Sequence, residues 1–132
     1  MTELSIEIAE RSYHRCAEVD GFFPALYDFL LASDERIPPM FAKTEFERQN
    51  RLLKHGLGLL FIYAKRPNTG LLERIAERHS RGGIAVPPDL YPAFVESVLR
   101  AVERFDPEFT PEIGEAWRGA VAPGIDFIQS RF

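Results

Sequence analysis

The stretch IPPMFAKTEFERQNRLLKHGLGLLFIYAK, residues 37–65, decides the fold. The paired Pro38 and Pro39 forbid a long helix between Ser33 and Phe41, so this part is a turn that delivers Phe41 to a fixed place. Beyond it, Phe46, Leu53, Leu57, Leu60 and Ala64 return at helical spacing on one stripe. That period predicts a helix over about residues 44–65. One member of the stripe is polar. Gln49 points inward with its apolar neighbours, and a buried amide without partners costs about 1 to 3 kcal/mol. Either it bonds to protein groups or it faces a cavity that holds something polar.

Working outward, the other long segments show the same 3.6-residue period, and strict alternation persists nowhere, so the expected class is all-α. A first helix over residues 5–19 presents Ile6, Ala9, Tyr13 and Cys16 on one face and ends at Asp20-Gly21. A second, over 22–33, turns Phe23, Leu26, Tyr27 and Leu30 inward. After the loop 66–70 comes a shorter helix, 71–81, closed by Gly82-Gly83 in the manner of a C-cap. Pro87-Pro88-Asp89 opens the next helix, whose stripe is Phe94, Val98, Ala101 and Phe105. Thr110 followed by Pro111 is a cap-then-proline start. It leads a last helix with Ile113, Trp117, Ala120, Val121 and Gly124 inward and a kink expected at Pro123.

Composition bounds the function. The chain has 132 residues, 16 Lys and Arg against 20 Asp and Glu, and a net charge of -4. Residues 1–132 are expected to form one domain, because 45% hydrophobic residues can build a core at this length. The longest apolar run, Leu57 to Ala64, is eight residues with a glycine inside, too short to cross a bilayer. Glu3 and Glu7 lie where a secretory signal would be basic and then apolar, and Cys16 is a lone thiol, so a cytoplasmic location is expected. The acidic balance argues against nucleic acid, whose phosphates need cationic neutralisation.

Three inward polar groups stand on three different helices: Tyr27, Gln49 and His79, the last at the end of the stripe Leu72, Ile75, Ala76. Other chemistry has little support. His14 and Cys16 are two apart and point to different helix faces, and His55 lies off the stripe. Ser80 beside His79 lacks a nucleophile elbow. There is no His-Glu-x-x-His, Cys-x-x-Cys, Walker or Gly-x-Gly-x-x-Gly pattern.

At these residues the sequence resembles the globins, and among them the single-domain bacterial haemoglobins and the globin domain of flavohaemoglobins. The corner phenylalanine of that family matches Phe41, the distal glutamine eight residues on matches Gln49, and the distal tyrosine fourteen residues before the phenylalanine matches Tyr27. Leu53 matches the apolar distal residue, and His79 the proximal iron-binding histidine. Gly83-Ile84, Leu90-Tyr91-Pro92, Phe109-Thr110-Pro111-Glu112 and Ala116-Trp117 follow the family's order through the last helices. The likeness runs over about residues 21–128. Two differences accompany it: a late glutamate of related bacterial proteins falls by count on Phe132, and two extra residues lengthen the corner around Pro87-Pro88.

The resemblance implies a globin fold around haem b, with His79 on the iron and its other ring nitrogen donating to a carbonyl one turn back. It implies that Phe41 packs on the macrocycle, that Leu53, Ile75, Ile84, Phe94 and Val121 form apolar walls, and that Tyr91 lies near the proximal histidine. Tyr27 and Gln49 become the distal donors. The implied ligands are O2, NO and CO, and the implied activity is nitric oxide dioxygenation with electrons from an external reductase. A homodimer fits this family as well. The alternative function is a sensor or regulatory interaction module on the globin fold, with or without haem.

Overall fold

A computed structural model of the chain describes residues 3–132. Met1 and Thr2, at the start of the N-terminal segment expected to lack a secretory signal, lie outside the described residues. Six α-helices follow one another, with short 3-10 turns between them and no strand among the described residues: α1 (Glu3–Ala17), α2 (Phe22–Ser33), α3 (Phe46–Lys65), α4 (Glu73–His79), α5 (Tyr91–Phe105) and α6 (Pro111–Ser130). None of them is long and apolar enough to cross a membrane.

The helices begin and end for local reasons. α2 has the span that its period predicts. α3 starts two residues later than expected because Glu45 is its N-cap: the carboxylate accepts from the Glu47 N–H at 3.1 Å and the Arg48 N–H at 2.9 Å. Pro38 to Phe41 form a 3-10 turn. The Thr110 hydroxyl caps α6, accepting from the Ile113 N–H at 3.2 Å. α6 stays helical through Pro123, although proline removes one ladder donor there.

The strongest helix pairings are α2 on α5, α1 on α6 and α3 on α6. Trp117 is fully buried at their centre, 5.3 Å from the Phe61 ring and 5.9 Å from Tyr13, both edge-on. Gly124 lets α3 close on α6, since a Cβ there would overlap Leu60. A buried polar chain ties α1 to the α5–α6 junction. The Trp117 indole N–H donates to Ser12 Oγ (2.9 Å), which donates to Asp106 Oδ2 (2.6 Å). Arg15 grips the same carboxylate at 2.7 and 2.8 Å, and the Glu108 N–H adds a bond at 2.9 Å.

Burial by itself would raise the pKa of Asp106; Arg15, Ser12 and the Glu108 N–H outweigh it and hold the carboxyl below its ordinary value. A depressed folded pKa contributes stability above the unfolded value of about 4, and that contribution is lost as pH falls through the lower folded value. Asp106→Asn should therefore cost about 1 to 3 kcal/mol at neutral pH, and its deficit should shrink on acidification below about pH 4. Denaturant unfolding at pH 7 and pH 3 checks this: an equal deficit at both would mean that the charge contributes nothing.

The end of α4 is wrapped by backbone bonds. The Ile84 N–H donates to Arg78 O (2.8 Å), Ala85 N–H to Ser80 O (2.9 Å) and Val86 N–H to His79 O (3.0 Å). Gly83 makes the wrap possible, because a Cβ there would overlap the Arg78 carbonyl and come within 2.9 Å of Glu77 O. Ala85 then takes a left-handed φ of 52°, so the chain turns sharply back inward at Val86. Gly83→Ala should destabilise the fold by about 1 to 3 kcal/mol through this overlap. A thermal melt indistinguishable from wild type would contradict it.

Candidate functional site

Beside the main core lies a second apolar cluster built around Tyr27, Leu30, Ile37 and Leu90, against which Phe41, Phe46, Leu53, Val86 and Phe94 pack while remaining only partly buried. Tyr27, only 4% exposed, projects from α2 into this cluster. Its ring stands edge-on to Phe41 (5.7 Å) and to Phe46 (5.3 Å), and the latter two stack at 6.0 Å. The Tyr27 hydroxyl reaches the backbone carbonyl of Gln49 at 3.4 Å, a long bond. Burial pushes its pKa up to about 12, so it is a donor at any ordinary pH.

Gln49 is half-buried and lines a cavity of about 240 Å³ that opens between α3 and α4. Across it is α4, where His79 ends the helix. The His79 Nδ1 lies 2.7 Å from the Ile75 carbonyl, one turn back. A carbonyl can only accept, so Nδ1 carries the proton and Nε2 carries the lone pair. Burial, and then the neighbouring Arg78 charge, lower the pKa of His79 against the opposing pull of the Ile75 bond, which keeps the ring neutral. Tyr91, at the start of α5, is near it, with ring centroids 6.4 Å apart. Its phenol is also raised to about 12 by burial.

The structure thus brings Tyr27, Phe41, Leu53 and Phe94 into one cluster, places Gln49 on the wall of the cavity, and leaves His79 one residue beyond Arg78, which lines it. Three of the expected walls stand elsewhere, and one of them, Ile75, packs on the main core. Ile84 is 52% exposed, because the left-handed turn at Ala85 carries it outward. Val86 takes the interior place instead and contacts both clusters. Val121 is buried in the main core and lines a groove between α5 and α6 with Tyr91 and Ile125. Phe132 lies under the Arg81 guanidinium at 4.8 Å, and its carbonyl accepts from the Arg81 N–H at 3.2 Å, so the chain end packs on the close of α4. His14 and His55 are exposed.

Sequence reasoning left the cationic groups of the site unchosen. Lys43, Arg48 and Arg78 line the cavity mouth with Leu52 and Glu45. Two of the three sit one residue before Gln49 and His79, and that adjacency is the signal that could have found them.

These residues fit a haem. Among the described residues no group of three or more His, Cys, Asp or Glu could hold a bare metal ion. A lone imidazole with a free Nε2 lone pair suits an iron whose remaining ligands come from a macrocycle. Half-buried Phe41, Leu53, Val86 and Phe94 offer flat apolar contact, and three cations at the mouth suit two carboxylates.

Six helices in this order, with a partly buried histidine ending α4 and a buried phenol on α2, are the arrangement of a globin. No family model matches the chain, and no curated protein does. Among solved structures, protein PA3967 from Pseudomonas aeruginosa PAO1, described as structurally highly homologous to a human haemoglobin, superposes with a TM-score of 0.94. The two are 32% identical over 97% of this chain and 98% of that one. The chain belongs to the globin family.

Proposed function

We propose that this globin binds haem b and reversibly takes up O2 and other diatomic ligands, NO and CO, and that it converts NO to nitrate with O2 when an external reductase supplies electrons. The observation that carries the reading is the His79 imidazole, locked by the Ile75 carbonyl at 2.7 Å so that Nε2 faces away with its lone pair. Haem, when bound, supplies an iron that exchanges one electron and holds a diatomic ligand.

Everything else falls to the chain. Val86, Phe94 and Phe41 would hold the haem and exclude water from it. Lys43, Arg48 and Arg78 at the mouth would take its carboxylates. Tyr27, a phenol that stays protonated, and the Gln49 amide are donors able to stabilise negative charge gathering on O2, whereas neutral CO has little to gain from them. Tyr91 packs beside His79 and limits the tilt of its ring.

An absorption spectrum of the chain supplied with haem, taken oxidised, reduced and reduced with CO, tests the reading. The expected result is a strong Soret band, a five-coordinate ferrous form with one histidine, and a shift on adding CO. No Soret band, or a ferrous form with two histidine ligands, would reject it.

A further inference from the structure

Charge is segregated along this chain. Residues 43–81 carry nine Lys and Arg against four Asp and Glu, whereas the remaining residues carry seven against sixteen, so an acidic protein contains a segment of net +5. The fold turns that segment into a face. An added Cβ at Gly56 would lie 3.9 Å from Ile75 Cδ1, which marks the line where α3 meets α4. Leu52 and Arg78 line the same cavity and mark the solvent side of that line. A helix turns about 100° per residue, so Arg48, Arg51 and His55 lie with Leu52 on α3. By the same geometry Arg74 and Arg81 lie with Arg78 along α4 and the turn after it.

The charges on this face are not neutralised. None of Lys43, Arg48, Arg51, Arg74 and Arg78 makes an ion pair among the described residues; the pairs that reach this segment are Lys65 with Glu10 and Arg131 with Glu73. Glu45, the carboxylate at the mouth, is engaged in capping α3. In the middle stands Leu52, 44% exposed. Glu45 and the exposed Glu77, which shares the α4 side with Arg74 and Arg78, leave the face cationic on balance, and an apolar contact among an excess of unpaired cations is the anatomy of a surface that meets an acidic partner.

We infer that this α3–α4 face docks a small acidic one-electron carrier protein, the electron source that the haem reading above, on which this inference rests, requires. The face holds Arg78, the residue before His79, and the cavity that Gln49 lines, so a carrier seated there lies beside the end of α4 that would hold the haem. Cations around a cleft speed the arrival of an acidic partner about 10- to 1,000-fold at low salt. The step is a single electron transfer. The carrier's reduced iron–sulfur or flavin group is oxidised by one electron, ferric iron is reduced to ferrous, and no bond forms or breaks between the proteins.

The experiment uses the full chain loaded with haem and an acidic 2Fe–2S ferredoxin. Binding is followed by titration with oxidised ferredoxin, and reduction by stopped flow with the reduced form, each at low and high ionic strength. The charge-reversal pair Arg51→Glu with Arg74→Glu is exposed and lies outside the residues assigned to haem carboxylates. It should weaken binding and slow reduction about tenfold or more at low salt, with reduction by dithionite and the Soret band unchanged. Arg51→Gln with Arg74→Gln should fall between. Added salt should reproduce the loss in wild type and do little in the charge-reversed protein.

Equal affinity of wild type and charge-reversed protein for ferredoxin would overturn the docking face. So would salt-insensitive binding, duplex DNA that binds as tightly as ferredoxin, or self-association through the same residues. A chain that takes up no haem refutes the functional reading, and the ferredoxin titration on that chain still decides whether the face recognises an acidic protein.

Discussion

His79→Ala should lose haem at least about 100-fold faster than wild type. Replacing a group that merely orients a metal ligand already costs 10- to 100-fold in metal affinity, and this substitution removes the partly buried imidazole proposed to hold the iron itself. His14 and His55 cannot replace it, because both are exposed. Free imidazole should restore the CO-bound spectrum in part, since the Ile75 carbonyl that accepts from Nδ1 at 2.7 Å stays in place to receive its N–H. Transfer of haem to an excess of apomyoglobin gives the rates. His55→Ala, as control, should match wild type. Unchanged retention in His79→Ala would place the iron ligand elsewhere and remove the proposed function with it.

The parts of the fold legible in the sequence are those fixed by short-range physics. The span of α2 follows from its apolar spacing and from the turn at Asp20-Gly21. Pro38 and Pro39 made the corner before α3 unavoidable. The start of α3 was less legible because a glutamate seldom caps a helix; Glu45 does so here because its side chain reaches two N–H groups at once. α4 is shorter than its pattern, stopping at His79 rather than residue 81, because Ser80 already turns to an extended conformation and the chain folds back onto the carbonyls of α4.

The candidate site divides in the same way. Tyr27, Gln49 and His79 could be picked out one at a time as polar residues on inward stripes, and the likeness to globins joined them. What periodicity cannot see is the loop after α4. The left-handed conformation of Ala85 exchanges the places of Ile84 and Val86, and no spacing rule reports a single φ angle in a loop. Nor could sequence choose among sixteen Lys and Arg for the mouth, since that choice depends on the fold bringing Arg78 of α4 to the cavity at the start of α3. The Ser12–Asp106–Trp117 chain was equally invisible, being held by contacts 94 and 105 residues apart.

The second large effect belongs to the phenol on α2. Tyr27→Phe should speed O2 dissociation about 10- to 150-fold, because a hydrogen bond to a charged acceptor contributes about 1.5 to 3 kcal/mol and about 1.4 kcal/mol is tenfold. The hydroxyl is free to make that bond. Its one protein hydrogen bond among the described residues, to the Gln49 carbonyl, is long at 3.4 Å, while Phe41 and Phe46 hold the ring edge-on from two sides. Phenylalanine keeps that packing, so the melting temperature should change little and CO dissociation should stay close to wild type. Gln49→Leu should have the smaller effect, since an amide on a flexible, half-exposed stem is a less preorganised donor than a phenol clamped between rings. If both donors serve one acceptor, the double variant should fall short of the product of the single effects. Stopped-flow O2 dissociation on the four proteins decides the matter: equal rates in wild type and Tyr27→Phe would mean that the phenol is a packing residue alone.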